Sequence, residues 1–165
     1  FSWLFVNLMT AILASIVIGF FEASLVKVVA LAVLMPIVAS MGGNAGTQTL
    51  TVVVRALATK ELNQANIWRV VNREMLIGVL NGLGFAALAA GITRIWFGDW
   101  ALAGVIAAAM MINLVAAAGA GILVPVVLKR WDIDPAVSSP VFVTTVTDVV
   151  GFLSFLGLAT WLLLR

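Results

Sequence analysis

An all-α integral membrane fold with five transmembrane helices per chain follows from three observations. Of the 165 residues, 64% are hydrophobic, and the mean hydropathy is +1.21. A soluble core of this size does not require that, whereas a bundle of membrane helices does. Charged and turn residues also divide the chain into five apolar stretches, each long enough for the roughly 20 residues that cross a bilayer core. Finally, Trp3, Trp68, Trp96, Trp100, Trp131 and Trp161, all six tryptophans, fall near the ends of those stretches, where indole prefers the headgroup region.

The spans are predicted at 3–21, 28–57, 70–96, 100–128 and 140–164, which makes residues 1–165 a single transmembrane domain. The first is apolar throughout and ends at the connection FEASLVK. The second is interrupted by polar residues and is followed by the basic connection RALATKELNQANIWR. Gly78 and Gly82 form a GxxxG in the third span, and Ala116, Ala117, Gly119 and Ala120 crowd the fourth. Such small residues let helix backbones approach closely. Only Arg94 and Asp99, in TRIWFGDW, clearly separate these two spans. After KRWDIDP the fifth span is expected to start with Ser139 as cap and Pro140 in the first turn, where a missing N–H costs nothing. Asn81 and Asn113 suit either an interhelical hydrogen bond or the lining of a polar path.

Five crossings place the termini on opposite sides of the membrane. The second connection and its flanks carry Arg55, Lys60, Arg69 and Arg73, and the fourth carries Lys129 and Arg130, against only Lys27 and Arg94 in the other two. The positive-inside rule therefore predicts a cytoplasmic N-terminus, with Arg165 outside, in the cell's inner (plasma) membrane. The opening FSWLF lacks the basic leader and cleavage site of a secretory signal and reads as a domain of a longer protein.

The chain has no Cys and no His, which excludes disulfides, thiolate and imidazole metal sites, and the usual general base. A metal site here has to be built from oxygen, which suits hard cations. There is no P-loop, no Ser-His-Asp set and no HExxH, so the chain is not read as an enzyme. Its net charge of +2 sits in loops rather than in a stripe, which argues against a nucleic-acid partner. Glu22 and Asp99 are placed near the outer surface, and Asp132 and Asp134 in the inner loop.

Two segments carry the chemistry. PIVASMGGNAGTQT, from Pro36 to Thr49, puts three glycines, Asn44, Thr47 and Gln48 inside the second span. Polar backbone or side chains at membrane depth are tolerated only when buried in protein or lining water. Glycine carbonyls can be approached closely, or can turn away from the helix ladder toward an ion. In the fifth span Asp148 stands within TTVTDVVGFLSFLGLATWLLL. A carboxylate there costs several kcal/mol unless it faces water, a cation or a partner. Thr144 is one turn earlier on the same face, placed to donate to the carboxylate or to water beside it.

Counting about 1.5 Å per residue puts Asp148 roughly 12 Å above Pro140, and Gly43 to Gln48 roughly 10 to 18 Å from Arg55, so both clusters can share one layer. Three readings of Asp148 stand: a neutral acid bonded to Asn44 or Gln48, a proton or substrate group in a carrier with broken helices, and a cation site. A divalent ion about 5 Å away at an effective dielectric of about 20 gains on the order of 6 to 7 kcal/mol, enough to hold the acid ionised.

The pair PIVASMGGNAGTQ and DPAVSSPVFVTTVTDVVGF, about a hundred residues apart, resembles the transmembrane domain of the MgtE magnesium channels. The resemblance covers essentially the whole chain. It implies a homodimer in the lipid bilayer, with a pore on the dimer axis lined by the second and fifth helices, and cytoplasmic regulatory domains elsewhere in the full-length protein. It also implies that Asp148 holds a largely hydrated Mg²⁺, with backbone oxygens of Gly43 and Gly46 contributing and Asn44, Gln48 and Thr144 nearby. The expected function is Mg²⁺ conduction into the cytoplasm. A cation-coupled or exchange-type carrier of the same architecture, or a structural membrane subunit with a neutral Asp148, is the alternative.

Overall fold

The computed structural model describes residues 1–62 and 66–163. The predicted positions Arg165 and Leu164 at the end of the fifth span, and residues 63–65 of the second connection, lie outside them. The described residues form six helices and no strand: α1 (Ser2–Gly19), α2 (Glu22–Lys27), α3 (Val29–Ala58), α4 (Ile67–Phe97), α5 (Trp100–Arg130) and α6 (Pro135–Leu163). All but α2 are long and apolar enough to cross a membrane, in agreement with the five predicted spans. The chain is thus an all-α multi-pass membrane protein.

The short helix α2 occupies what the sequence reading treats as a plain connection. It sits between non-helical residues at Phe21 and Val28 and is tied to the last span by the hydroxyls of Ser24 and Thr160, 2.8 Å apart.

Helix α5 is the centre of the bundle and packs against α3, α4 and α6, while α3 and α4 barely touch and α1 lies along α6. Small residues explain the close approaches. A Cβ on Gly78 would meet the Ala118 Cβ at 2.6 Å, and one on Gly82 would meet the Met111 Sδ at 2.6 Å. The GxxxG of the third span therefore faces α5, as a packing motif should. The buried apolar core runs through Leu31, Leu34, Val105, Ile106, Leu114, Phe155 and Leu156, and every tryptophan lies at a helix end with an exposed ring.

Between α4 and α5 the chain turns at Gly98, whose φ of 71° is left-handed and suits a residue without Cβ. Asp99 then caps α5, accepting from the Ala101 and Leu102 N–H groups at 2.7 and 3.2 Å. Arg94 stacks over the Trp100 ring at 4.9 Å.

The predicted start of the fifth span is corrected. Helix α6 begins at Pro135, one turn and more before Pro140. Asp134 accepts from the Ala136 N–H at 2.9 Å, so an Asp cap followed by proline at the first helical position initiates the helix. Ser139, expected as the cap, is instead fully buried inside α6, and its hydroxyl has no partner among the described residues.

Candidate functional site

The second and fifth spans are neighbours. A Cβ on Gly46 would meet Val143 of α6 at 2.6 Å, and one on Gly43 would lie 3.9 Å from the Thr147 hydroxyl. The glycine-rich segment is where α3 and α6 cross, with α5 behind them. At that crossing Asn113 of α5 is fully buried and donates through Nδ2 to the Val38 carbonyl at 2.8 Å. Its side chain fills the space left by two glycines: a Cβ on Gly42 would meet Asn113 at 2.2 Å, and one on Gly151 at 2.7 Å. Of the two sequence readings of Asn113, the structure selects the interhelical hydrogen bond.

Helix α3 is continuous through Gly42, Gly43 and Gly46, so the glycine carbonyls do not leave the helix ladder in this structure. Its two faces differ sharply. Leu31, Leu34, Val38, Gly42, Gly46, Leu50 and Val53 are buried against the bundle. Ser40, Asn44, Thr47, Gln48 and Thr51 are exposed, and their spacing of three and four residues places them on a single face. A membrane-grade helix therefore carries an uncovered polar stripe. Part of that stripe is internally satisfied: Thr47 donates to the Gly43 carbonyl at 2.8 Å, and Asn44 donates to the Ser40 hydroxyl at 3.4 Å.

Asp148 follows Thr147 on α6 and is half-buried. Along its own face, Gly151 and Phe155 are sealed against Asn113 and the core. Asp148 is the residue next to Thr147, which meets Gly43 of α3. Among the described residues no hydrogen bond ties it to Asn44 or Gln48.

The other predicted site residues do not all gather beside Asp148. Thr144 does not donate to Asp148; its hydroxyl bonds back to the carbonyls of Pro140 and Val141 at 2.9 and 3.1 Å, the local bond a helical threonine readily makes. The Gly46 carbonyl lies 2.8 Å from where a Cβ on Gly121 would stand, so it faces α5. Gly43, half-exposed, borders Thr147 of α6 and Asn44 is exposed, whereas Gln48 lines a cavity on the α4 side of α3 with Glu74 and Asn81. A further acid at membrane depth, Glu74, is buried in α4. The criterion that marks Asp148, a carboxylate inside an apolar span, marks Glu74 equally, but the flanking Arg69 and Arg73 draw the sequence reading toward topology.

Fold and seam define a multi-pass membrane protein with ionisable and amide groups gathered at membrane depth, the class in which transporters and channels are found. The family model MgtE, described as a divalent cation transporter, matches residues 35–158, and the chain belongs to that family. The chain is 35% identical over 158 residues to the magnesium transporter MgtE of Bacillus subtilis, which covers 96% of this chain. It is 35% identical over 161 residues, 98% of this chain, to that of Thermus thermophilus, and 31% identical over 158 residues, 96% of this chain, to that of Enterococcus faecalis. The chain spans only 35–36% of the length of these relatives. The family is one of transporters, not enzymes.

Proposed function

We propose that this chain is the pore domain of a Mg²⁺ channel that conducts divalent cations into the cytoplasm as a homodimer. The observation that carries this is the exposed stripe Ser40, Asn44, Thr47, Gln48 and Thr51 on α3, a helix packed on α6, which carries the half-buried Asp148. Polar groups at membrane depth face protein or water, not lipid. A second copy across a two-fold axis covers the stripe and encloses a water-filled path between the two seams. It also places two Asp148 carboxylates around that path, which balances one divalent ion. Mg²⁺ dehydrates reluctantly, so Asp148 holds a largely hydrated ion and the Asn44 amide contacts its water shell, while Gly43, whose carbonyl is taken by the helix and by Thr47, keeps the α3–α6 crossing narrow. Gly46 and Thr144 support this site by packing and by shaping α6.

The unbroken helix α3 favours a channel over a carrier, because carriers of this kind use discontinuous helices at the binding site. The relatives' names as magnesium transporters support the choice of ion. In the full-length protein, cytoplasmic regulatory domains govern opening, and the N-terminus of this chain lies on the cytoplasmic side of the inner membrane.

Mg²⁺ flux into liposomes tests the proposal. Flux that follows the driving force supports a channel, and saturable coupled exchange supports a carrier. Asp148→Asn is expected to lower Mg²⁺ flux by about tenfold or more, the loss of roughly 1.4 kcal/mol of ion stabilisation or greater. A folded, dimeric variant that transports like the parent refutes the role of Asp148.

A further inference from the structure

A second carboxylate at membrane depth lies away from the seam between α3 and α6. Glu74, in the second turn of α4, is 7% exposed. It lines a cavity of about 280 Å³ between α3 and α4, which barely touch, with Leu114 and Ala118 of α5 also in its lining. Gln48, Thr49, Arg73 and Asn81 share the lining. Among the described residues no hydrogen bond or ion pair reaches the Glu74 carboxylate, and the Arg73 guanidinium beside it stands beyond ion-pair distance.

A charged carboxylate in such a wall is costly unless a cation or water meets it. The space is adequate, since a water takes about 30 Å³ of liquid volume, leaving room for a cation with several of its waters. The polar residues of the lining offer oxygens, from the Glu74 carboxylate, the Gln48 and Asn81 amides and the Thr49 hydroxyl, the donor type that suits a hard ion. We infer that this cavity is a second divalent-cation site, in which Glu74 holds a largely hydrated ion and Gln48 and Asn81 contact its water shell. The site does not depend on whether the seam at Asp148 conducts. Arg73 at its edge is a like charge that weakens the ion's binding.

Mn²⁺ is the probe, with bound ion counted by electron paramagnetic resonance on the purified protein in phosphatidylcholine nanodiscs. The Asp148→Asn background removes the seam site. Saturable Mn²⁺ binding persists in that background, and adding Glu74→Gln weakens it about tenfold or more, while Glu74→Asp keeps most of it. Arg73→Gln strengthens binding by about two- to fivefold through loss of the like charge. If the cavity instead houses only an acid paired with Arg73 in solution, Arg73→Gln weakens or leaves unchanged what Mn²⁺ binding there is, and the inference fails. It fails equally if Asp148→Asn alone abolishes all Mn²⁺ binding, or if Glu74→Gln leaves it intact. Should Glu74→Gln not assemble, Asn81→Leu decides by the same reading: about threefold weaker binding supports the site, and unchanged binding overturns it.

Discussion

Gly42 and Gly43 are adjacent in α3 but meet different surroundings. The missing Cβ of Gly42 is the space that Asn113 occupies, whereas the nearest atom to a Cβ on Gly43 is 3.9 Å away. Gly42→Ala is therefore expected to destabilise the folded protein by about 1 to 3 kcal/mol through overpacking. Gly43→Ala has ordinary contact and a gain in helix propensity, so it is neutral or stabilising by up to about 1 kcal/mol. Thermal melts in detergent distinguish the two, and equal effects refute the packing account. Both glycines are visible in the sequence as part of one motif, and a motif does not say which member faces a neighbour. The same limit explains Gly46 and Thr144. A backbone oxygen is a candidate ligand by residue type, but the direction of the Gly46 carbonyl toward Gly121 depends on how α3 and α5 cross.

At the scale of elements, α6 shows how a local signal can be read at the wrong place. Ser139-Pro140 and Asp134-Pro135 both have the form of a cap followed by proline. The chain uses the earlier one because Asp134 can accept from the Ala136 N–H, and the later serine becomes an interior residue. Asp134→Ala is accordingly expected to cost about 1 kcal/mol, the usual value of a lost cap. Asp99→Ala, at the start of α5, should cost a similar amount, about 1 kcal/mol. Ser139→Ala removes a hydroxyl without a partner among the described residues, so it leaves stability unchanged or slightly raised. A Ser139→Ala loss as large as that of Asp134→Ala would restore Ser139 as the cap. The long spans themselves are legible without this detail, because bilayer thickness sets a minimum apolar length and composition reveals it.

For the whole molecule, the informative surface is the face of α3 that its own chain leaves open. These 165 residues contain no cysteine, so single cysteines placed in this chain report proximity without background from it. Asn44→Cys and Gln48→Cys are predicted to form disulfide-linked dimers in membranes under mild oxidation, seen on a non-reducing gel. Leu80→Cys, on an exposed apolar stretch of α4, is predicted to stay monomeric. Cross-linking at Leu80 and none at Asn44 or Gln48 would place the second copy elsewhere and remove the axial path.

The membrane class, the five spans and the presence of a carboxylate, Asp148, deep in an apolar span are legible in the sequence alone. Each rests on a quantity that is local to the chain: apolar length, the positions of tryptophan and charge, and the cost of a carboxylate among apolar residues. Only the tertiary structure decides that Asn113 fills the space of Gly42 and Gly151, that the Gly46 carbonyl faces α5, and that Glu74 lines a cavity with Gln48 and Asn81. These are relations between residues far apart in the chain. They follow from helix crossings and rotations that small side chains permit but do not specify, and so they become definite only when the helices are packed.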